Sequence, residues 1–437
     1  MRFVPEVYAI DFGTSNSLLA AASVDGHHPP IPLDPSAEDP SLLRSILFFP
    51  EERGPQGATP YLGKAAIEEY VARGSRGRLV RSLKRFLPMR GFTRTLIGNR
   101  SFTLEELIAI VLRQLRERAD RHFGARVTRA LLGRPARFSA SAEDDAFAEE
   151  RLRQAARLAG FSHVDFCPEP VAAARDFRDE LQRDTLLLVG DFGGGTSDYS
   201  LVKMGRGGFE LSDVLAVGGV SVAGDALDGS IMRAQVARHF GAEVQYRVPF
   251  GDNVLTMPKP LMEKLCSPAE MSLLGQRDAR SFLDDVRSWS LGERDRACID
   301  QLFALVEDGL GFMLFEAIEH AKKQLSSAPE ACLSFHVPGI DVEQSLTRTG
   351  FERGASRELA SIIGALDATL ERAGARTSDV ELVCLTGGTA RVPFIHAALG
   401  ERFGQGRLHS LRGLHAVAEG LARHAQRLLR DERRRPA

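Results

Sequence analysis

The sequence predicts an α/β protein built from two similar halves, and three observations carry this. Asp-Phe-Gly occurs twice, at Asp11-Phe12-Gly13 and Asp191-Phe192-Gly193, 180 residues apart, each time closing a short apolar run. Apolar runs of strand length alternate with amphipathic helical patterns, which marks a sheet covered by helices. A third apolar run, Leu382-Val383-Cys384-Leu385, also ends in glycines, at Gly387-Gly388.

The elements follow in order. Val7 to Ile10 reads as a buried strand, the polar stretch Asp11 to Ser17 as a turn, and Leu18 to Ala22 as a returning strand. Residues 27 to 60 read as proline-rich loops around a strand near Ile46-Leu47-Phe48-Phe49. Leu104, Leu107, Ile108, Val111, Leu112 and Leu115 share one helical face, and Thr103 with Glu106 predicts a capping box. A second helix is expected from Ser141 to a terminating Gly160. The hairpin pattern then returns, with Leu186 to Val189 as strand, Gly190 to Asp198 as turn and Tyr199 to Val202 as strand. Residues 225 to 332 read as mostly helical, with the longest stripe from Cys298 to Ser327. Val392-Pro393 opens a helix after the last glycine turn.

Composition narrows the function. Formal net charge is -2 and no basic stripe stands out, so nucleic acid is not the expected partner. The 5 cysteines include no CxxC pair, which argues against a zinc site or a disulfide framework. The first apolar run stops after four residues, so no signal peptide is expected. No run approaches the roughly 18 apolar residues of a membrane helix. The expectation is a cytoplasmic protein.

The glycine turns have a physical use. Gly13, Gly193, Gly194 and Gly195 let backbone N–H groups approach phosphate oxygens with no Cβ in the way, and Thr14, Ser15 and Thr196 add hydroxyls. If the halves pack across a cleft, Asp11 and Asp191 face each other, and such a pair suits hydrated magnesium, with Asp198 joining through water. Gly387-Gly388 before a helix suits phosphate or ribose, and Gly218-Gly219 is a further candidate for close approach. Alone, a glycine pair is more often only a turn, and Asp11 is equally a turn or cap residue. The His-Arg-Asp loop that accompanies Asp-Phe-Gly in protein kinases is absent, as is GxxxxGK[ST].

Together these segments resemble the phosphate-1, phosphate-2 and adenosine motifs of the actin, sugar-kinase and heat-shock-chaperone superfamily. Ile10 to Ser17, Ser82-Leu83-Lys84-Arg85-Phe86, Pro168-Glu169-Pro170-Val171, Gly218 to Asp228 and Glu319 to Ser326 resemble the ATPase domain of the Hsp70 chaperones, in a truncated YegD-like branch. The resemblance implies an actin-like ATPase (ribonuclease H-like) fold. It implies lobe I over 1–182 with an insert at about 44–128, lobe II over 183–409 with a helical insert at about 225–332, and a C-terminal helix with a basic tail over 410–437. It implies ATP or ADP with Mg2+ as ligands and slow hydrolysis coupled to lobe movement. Lys84 would contact the γ-phosphate and the attacking water, and Glu169 would act on the hydrated magnesium. Asp11, Asp191 and Asp198 would hold the metal's water shell, with Thr196 beside them. Thr14, Ser15, Asn16 and the glycine turns would hold phosphate. Glu319, Lys322, Ser326, Gly387, Gly388 and Thr389 would meet the nucleoside, and Arg391 would stack on adenine. Without the resemblance, Lys84 reads as a solvated lysine beside Arg81 and Arg85, Glu169 as a carboxylate flanking a turn, and Glu319 with Lys322 as a helical ion pair.

Two departures stand out. Leu43-Arg44-Ser45 occupies the place of the family's Thr-Pro-Ser, so a threonine near the γ-phosphate is absent. Arg412-Gly413-Leu414-His415 replaces Asn-Pro-Asp-Glu. After the last matching helix, about Ala416 to Arg430, no peptide-binding domain is expected, and a protein client or co-chaperone stays unidentified. A nucleotide-dependent scaffold with little hydrolysis is the rival reading. A small-molecule kinase is a third, although no sugar-binding cluster is visible.

Overall fold

Two five-strand paths of the same topology organise the chain. In the first, Val7–Phe12 pairs antiparallel with Asn16–Ala22, which pairs with His27–His28; on its other side Val7–Phe12 pairs parallel with Arg129–Arg134, which pairs parallel with His163–Pro168. In the second, Thr185–Phe192 pairs antiparallel with Ser197–Met204, which pairs with Val214–Val220; on its other side it pairs parallel with Leu382–Thr386, then Leu408–Ser410. The computed structural model describes residues 3–51, 59–74, 76–139, 141–178, 183–205, 213–268, 270–410 and 415–434.

The repeat inferred from Asp-Phe-Gly extends to register. Phe12 pairs with Ser17 and Phe192 with Ser197; Ala9 pairs with Ala20 and Val189 with Ser200. Every one of these positions is offset by the same 180 residues.

Strand alternation explains what the tripeptide does. Side chains of period two face opposite sides of a sheet. Tyr8, Ile10 and Phe12 enter one core cluster with the helices Leu104–Phe123 and Ala142–Leu158. Val7 and Ala9 enter another, and Asp11 continues that face. In the second hairpin Leu187 and Val189 belong to this same second cluster, and Asp191 continues their face. Phe12 and Phe192 are wholly buried, and a buried phenylalanine anchors a strand end by roughly 1.5–3 kcal/mol. The second cluster is completed by Val171, Ala172 and Ala173 of helix Glu169–Arg178 and by helix Ala416–Arg434. One core therefore holds the Asp-bearing faces of both sheets and the helix that begins at Glu169.

Two compact units result. One comprises Met1–Ser221, Ala365–Ala390 and Ala398–Ala437, and the other Val222–Gly364 and Arg391–Ala397. Both large sheets lie in the first. The second holds the helices Gly224–Ile231, Arg277–Trp289, Glu293–Glu307 and Gly311–Ser327 with the hairpin Glu330–Val337/Ile340–Thr347.

Most expected elements are present, including the capping box of Thr103 and Glu106 and the left-handed Gly160 after helix Ala142–Leu158. Three details differ. The stripe from Cys298 to Ser327 is two helices, because Gly309 takes φ 64 and ends the first at Glu307. Gly218-Gly219 lies inside a strand, paired with Tyr199 and Asp198, rather than in a turn. The last helix runs on to Arg434, past its expected end near Arg430. Arg412, Gly413 and Leu414 lie outside the described residues.

Candidate functional site

In the first unit the two hairpin turns come close together. A Cβ built on Gly195 would stand 3.9 Å from Thr14 Cγ2. Each turn folds back on itself: Gly193 N–H donates to Thr196 O at 3.0 Å, and a Cβ on Gly13 would lie 2.2 Å from Asn16 O. Gly13 therefore tolerates no side chain. Ser17 and Ser45 share a buried hydrogen bond of 2.8 Å, and Ser45 N–H donates to Ser15 O at 2.8 Å. Leu43 is fully buried and pairs with Ser17.

Lys84 is not a solvated surface lysine. It stands on a short 3-10 turn, Leu83–Phe86, and its Nζ lies 2.6 Å from Glu169 Oε1, with both side chains about one-tenth exposed. Glu169 opens its helix, where a carboxylate is favoured by the exposed backbone N–H groups. Gly133 makes room for it, since a Cβ there would lie 3.2 Å from Glu169 Cγ. The sequence signal for Gly133 was a glycine directly after the apolar strand run Ala130-Leu131-Leu132.

Charge at this site is unbalanced. Asp11, Glu169, Asp191 and Asp198 all interact with one cation, Lys84. Burial raises the Asp11 carboxyl to about 7, with Glu169 adding to the effect and Lys84 opposing it. Burial likewise raises Asp191 to about 8, reinforced by Glu169, Asp198 and Asp11. Asp198 rises to about 6 through burial, although Thr196 donates a 2.7 Å hydrogen bond to its Oδ2. For Lys84, burial pulls downward, yet Glu169, Asp11 and Asp191 raise it overall. A carboxylate-rich floor of this kind fits a hard divalent cation by its donor chemistry. Among the described residues, however, no three His, Cys, Asp or Glu side chains group closely enough to hold a metal ion.

The third glycine turn joins this floor. Gly387 has φ 86, and a Cβ there would fall 2.1 Å from Phe192 O. Thr389 donates to Gly193 O at 2.8 Å and is itself buried, so its hydroxyl braces the second turn. Gly388 is exposed. Gly218 and Gly219 are occupied by protein neighbours: their Cβ atoms would meet Thr369 Oγ1 at 2.0 Å and Asp198 Oδ1 at 2.4 Å.

Glu319, Lys322, Ser326 and Arg391 belong to the second unit. Lys322 is buried and turned inward, with Nζ 2.7 Å from Asp228 Oδ1 and donating to Gly224 O at 3.2 Å. Glu319 pairs with Lys323 at 2.9 Å, not with Lys322. Ser326 donates to Lys322 O, and Arg391 is exposed. Burial raises Asp228 to about 7 even though Lys322 pulls it down. Two cavities, of about 570 and 200 Å³, also lie in this unit, between helices Arg277–Trp289 and Glu293–Glu307. Neither is lined by any residue of the carboxylate floor.

Among the described residues no helix is long and apolar enough to cross a membrane. Residues 90–249 and 311–435 match the family model described as Hsp70 protein. The match contains Glu169, Asp191, the second and third glycine turns and the Glu319 helix. Asp11 and Lys84 precede it and enter the site through the register repeat and the Lys84–Glu169 contact. Covering well over half of the sequence, the match shows that this chain belongs to the Hsp70 family, whose ATPase domain has the actin-like fold.

Proposed function

We propose that the chain binds ATP with magnesium on the carboxylate and glycine floor of its first unit and hydrolyses it slowly. The observation that carries this is the convergence of Asp11, Glu169, Asp191 and Asp198 on one lysine beside two register-equivalent glycine turns. Four carboxyls facing one lysine would be held ionised by a further cation, and the glycine turns let an anion approach the backbone. A magnesium nucleotide supplies both, the metal offsetting charge on the phosphates.

In this reading the N–H groups around Gly13, Gly194 and Gly195 hold phosphate, assisted by Thr14, Ser15 and Asn16, while Gly193 N–H closes its own turn on Thr196 O. Lys84 meets the γ-phosphate and orients the attacking water, and Glu169 holds the Lys84 ammonium in place. Asp11, Asp191 and Asp198 accept hydrogen bonds from the metal's water shell. Thr196 orients Asp198. Gly387, Gly388, Glu319, Ser326 and Arg391 are assigned to the nucleoside by family resemblance, whereas Lys322 is taken up by Asp228. The lobe layout of 1–182 and 183–409 and the YegD-like branch belong to the same proposal.

One observation favours a nucleotide-holding scaffold instead. The buried Leu43 offers no hydroxyl where the family has a threonine. Steady-state phosphate release decides between the two. The enzyme reading predicts magnesium-dependent turnover that falls at least about 100-fold in Lys84→Ala. Release no greater than in that variant would leave binding without hydrolysis.

A further inference from the structure

We infer that Arg151 is a positioning residue for Lys84. The inference rests on the proposed role of Lys84. Residues 82 to 92 form neither strand nor α-helix: they hold a single 3-10 turn, entered through Ser82 at φ 58 and followed by successive turns. Its turns satisfy some carbonyls, Phe86 O and Met89 O accepting from Met89 and Phe92 N–H, and beyond these it takes its shape from whatever else binds its carbonyls.

One guanidinium does this. Arg151, on helix Ala142–Leu158 and only 6% exposed, donates through Nη1 to Phe86 O at 3.3 Å, Leu87 O at 3.4 Å and Met89 O at 3.2 Å. Through Nη2 it donates to Phe92 O at 2.9 Å, and through Nε it pairs with Glu105 of the neighbouring helix. Every nitrogen of the side chain is thus engaged. Burial alone would raise the Glu105 carboxyl, but the hydrogen bond and charge of Arg151 bring it below the usual range, so the pair is ionised at neutral pH. The fork shape matters, because a lysine concentrates its donors at one point and cannot span carbonyls spread over seven residues of backbone. The first clamped carbonyl lies two residues after Lys84. Arg151 therefore ties the turn bearing Lys84 to two packed helices and fixes the direction from which its ammonium reaches Glu169.

Arg151→Lys tests this, with Lys84→Ala and the double variant. Amide exchange over 83–92 is expected to speed up at least about tenfold, while that of helix Leu104–Phe123 holds. Turnover at saturating ATP should fall roughly 10- to 100-fold with nucleotide affinity within about twofold, since misplacement by about an ångström costs that much. In the Lys84→Ala background the substitution should cost no further turnover. Unchanged exchange over 83–92, or an equal loss of turnover with and without Lys84, would overturn the inference. Should Arg151→Lys fail to fold, Glu105→Gln loosens the same guanidinium and should give the same pattern at smaller amplitude. If the wild type shows no magnesium-dependent turnover, the functional reading fails, and the exchange result alone decides whether Arg151 holds the turn.

Discussion

Replacing Asp191 by asparagine should stabilise the ligand-free protein while abolishing its activity. The carboxyl is held at about 8, against an ordinary value of 3.8, chiefly by burial and then by Glu169, Asp198 and Asp11. A folded value above the unfolded one means that the group supports folding fully below about pH 4. That support is lost as pH rises through about 8. For an isolated, fully buried carboxyl such a shift is an ionisation penalty of about 5 kcal/mol at pH 8. Solvent still reaches the carboxyl, and Asp11 and Asp198 share the same repulsion, so about 2 kcal/mol is the working figure. The asparagine side chain keeps the volume and removes the charge. Thermal unfolding without nucleotide or metal should show a Tm higher by about 3–6 °C at pH 8, shrinking to less than half of that at pH 5. A Tm that stays put or falls at pH 8, or a gain equal at both pH values, would refute the electrostatic reasoning.

Other outcomes follow from the packing. Gly420→Ala should destabilise the first unit by about 1–3 kcal/mol in urea denaturation, because its Cβ would fall 2.0 Å from Ala172 O, where two helices cross backbone to backbone. Gly387→Ala should cost about 2–4 kcal/mol and weaken nucleotide binding in titration, since φ 86 and the 2.1 Å approach to Phe192 O both exclude a side chain. Lys322→Met should destabilise by about 3–5 kcal/mol in the same denaturation assay, as Asp228 is left buried without its cation, and adding Asp228→Asn should recover part of the loss.

Much of the fold was legible because its signals are local. Asp-Phe-Gly encodes a carboxylate on one sheet face, a buried anchor on the other and a turn with room for backbone, so two copies pointed to two equivalent hairpins. The Thr103 capping box and the Gly160 stop lie within four residues of the helix ends they define. What stayed hidden depends on contacts distant in sequence. Lys84 looked solvated because its partner Glu169 lies 85 residues away. Lys322 looked like a member of an exposed helical pair because Asp228 lies on another helix. Arg151 sits in an arginine-rich helical stretch whose surface neighbours share its composition, and only its carbonyl partners set it apart. The break at Gly309 was masked because the apolar stripe keeps its phase across three residues.

Calorimetric titration of ATP and ADP, with and without magnesium, on wild type and Asp191→Asn tests the central claim most directly. The account predicts binding by the wild type that tightens with magnesium, and loss of that magnesium-dependent gain in the variant. A well-folded wild type that binds neither nucleotide, or one that binds equally well with and without the metal and the Asp191 carboxylate, would contradict it.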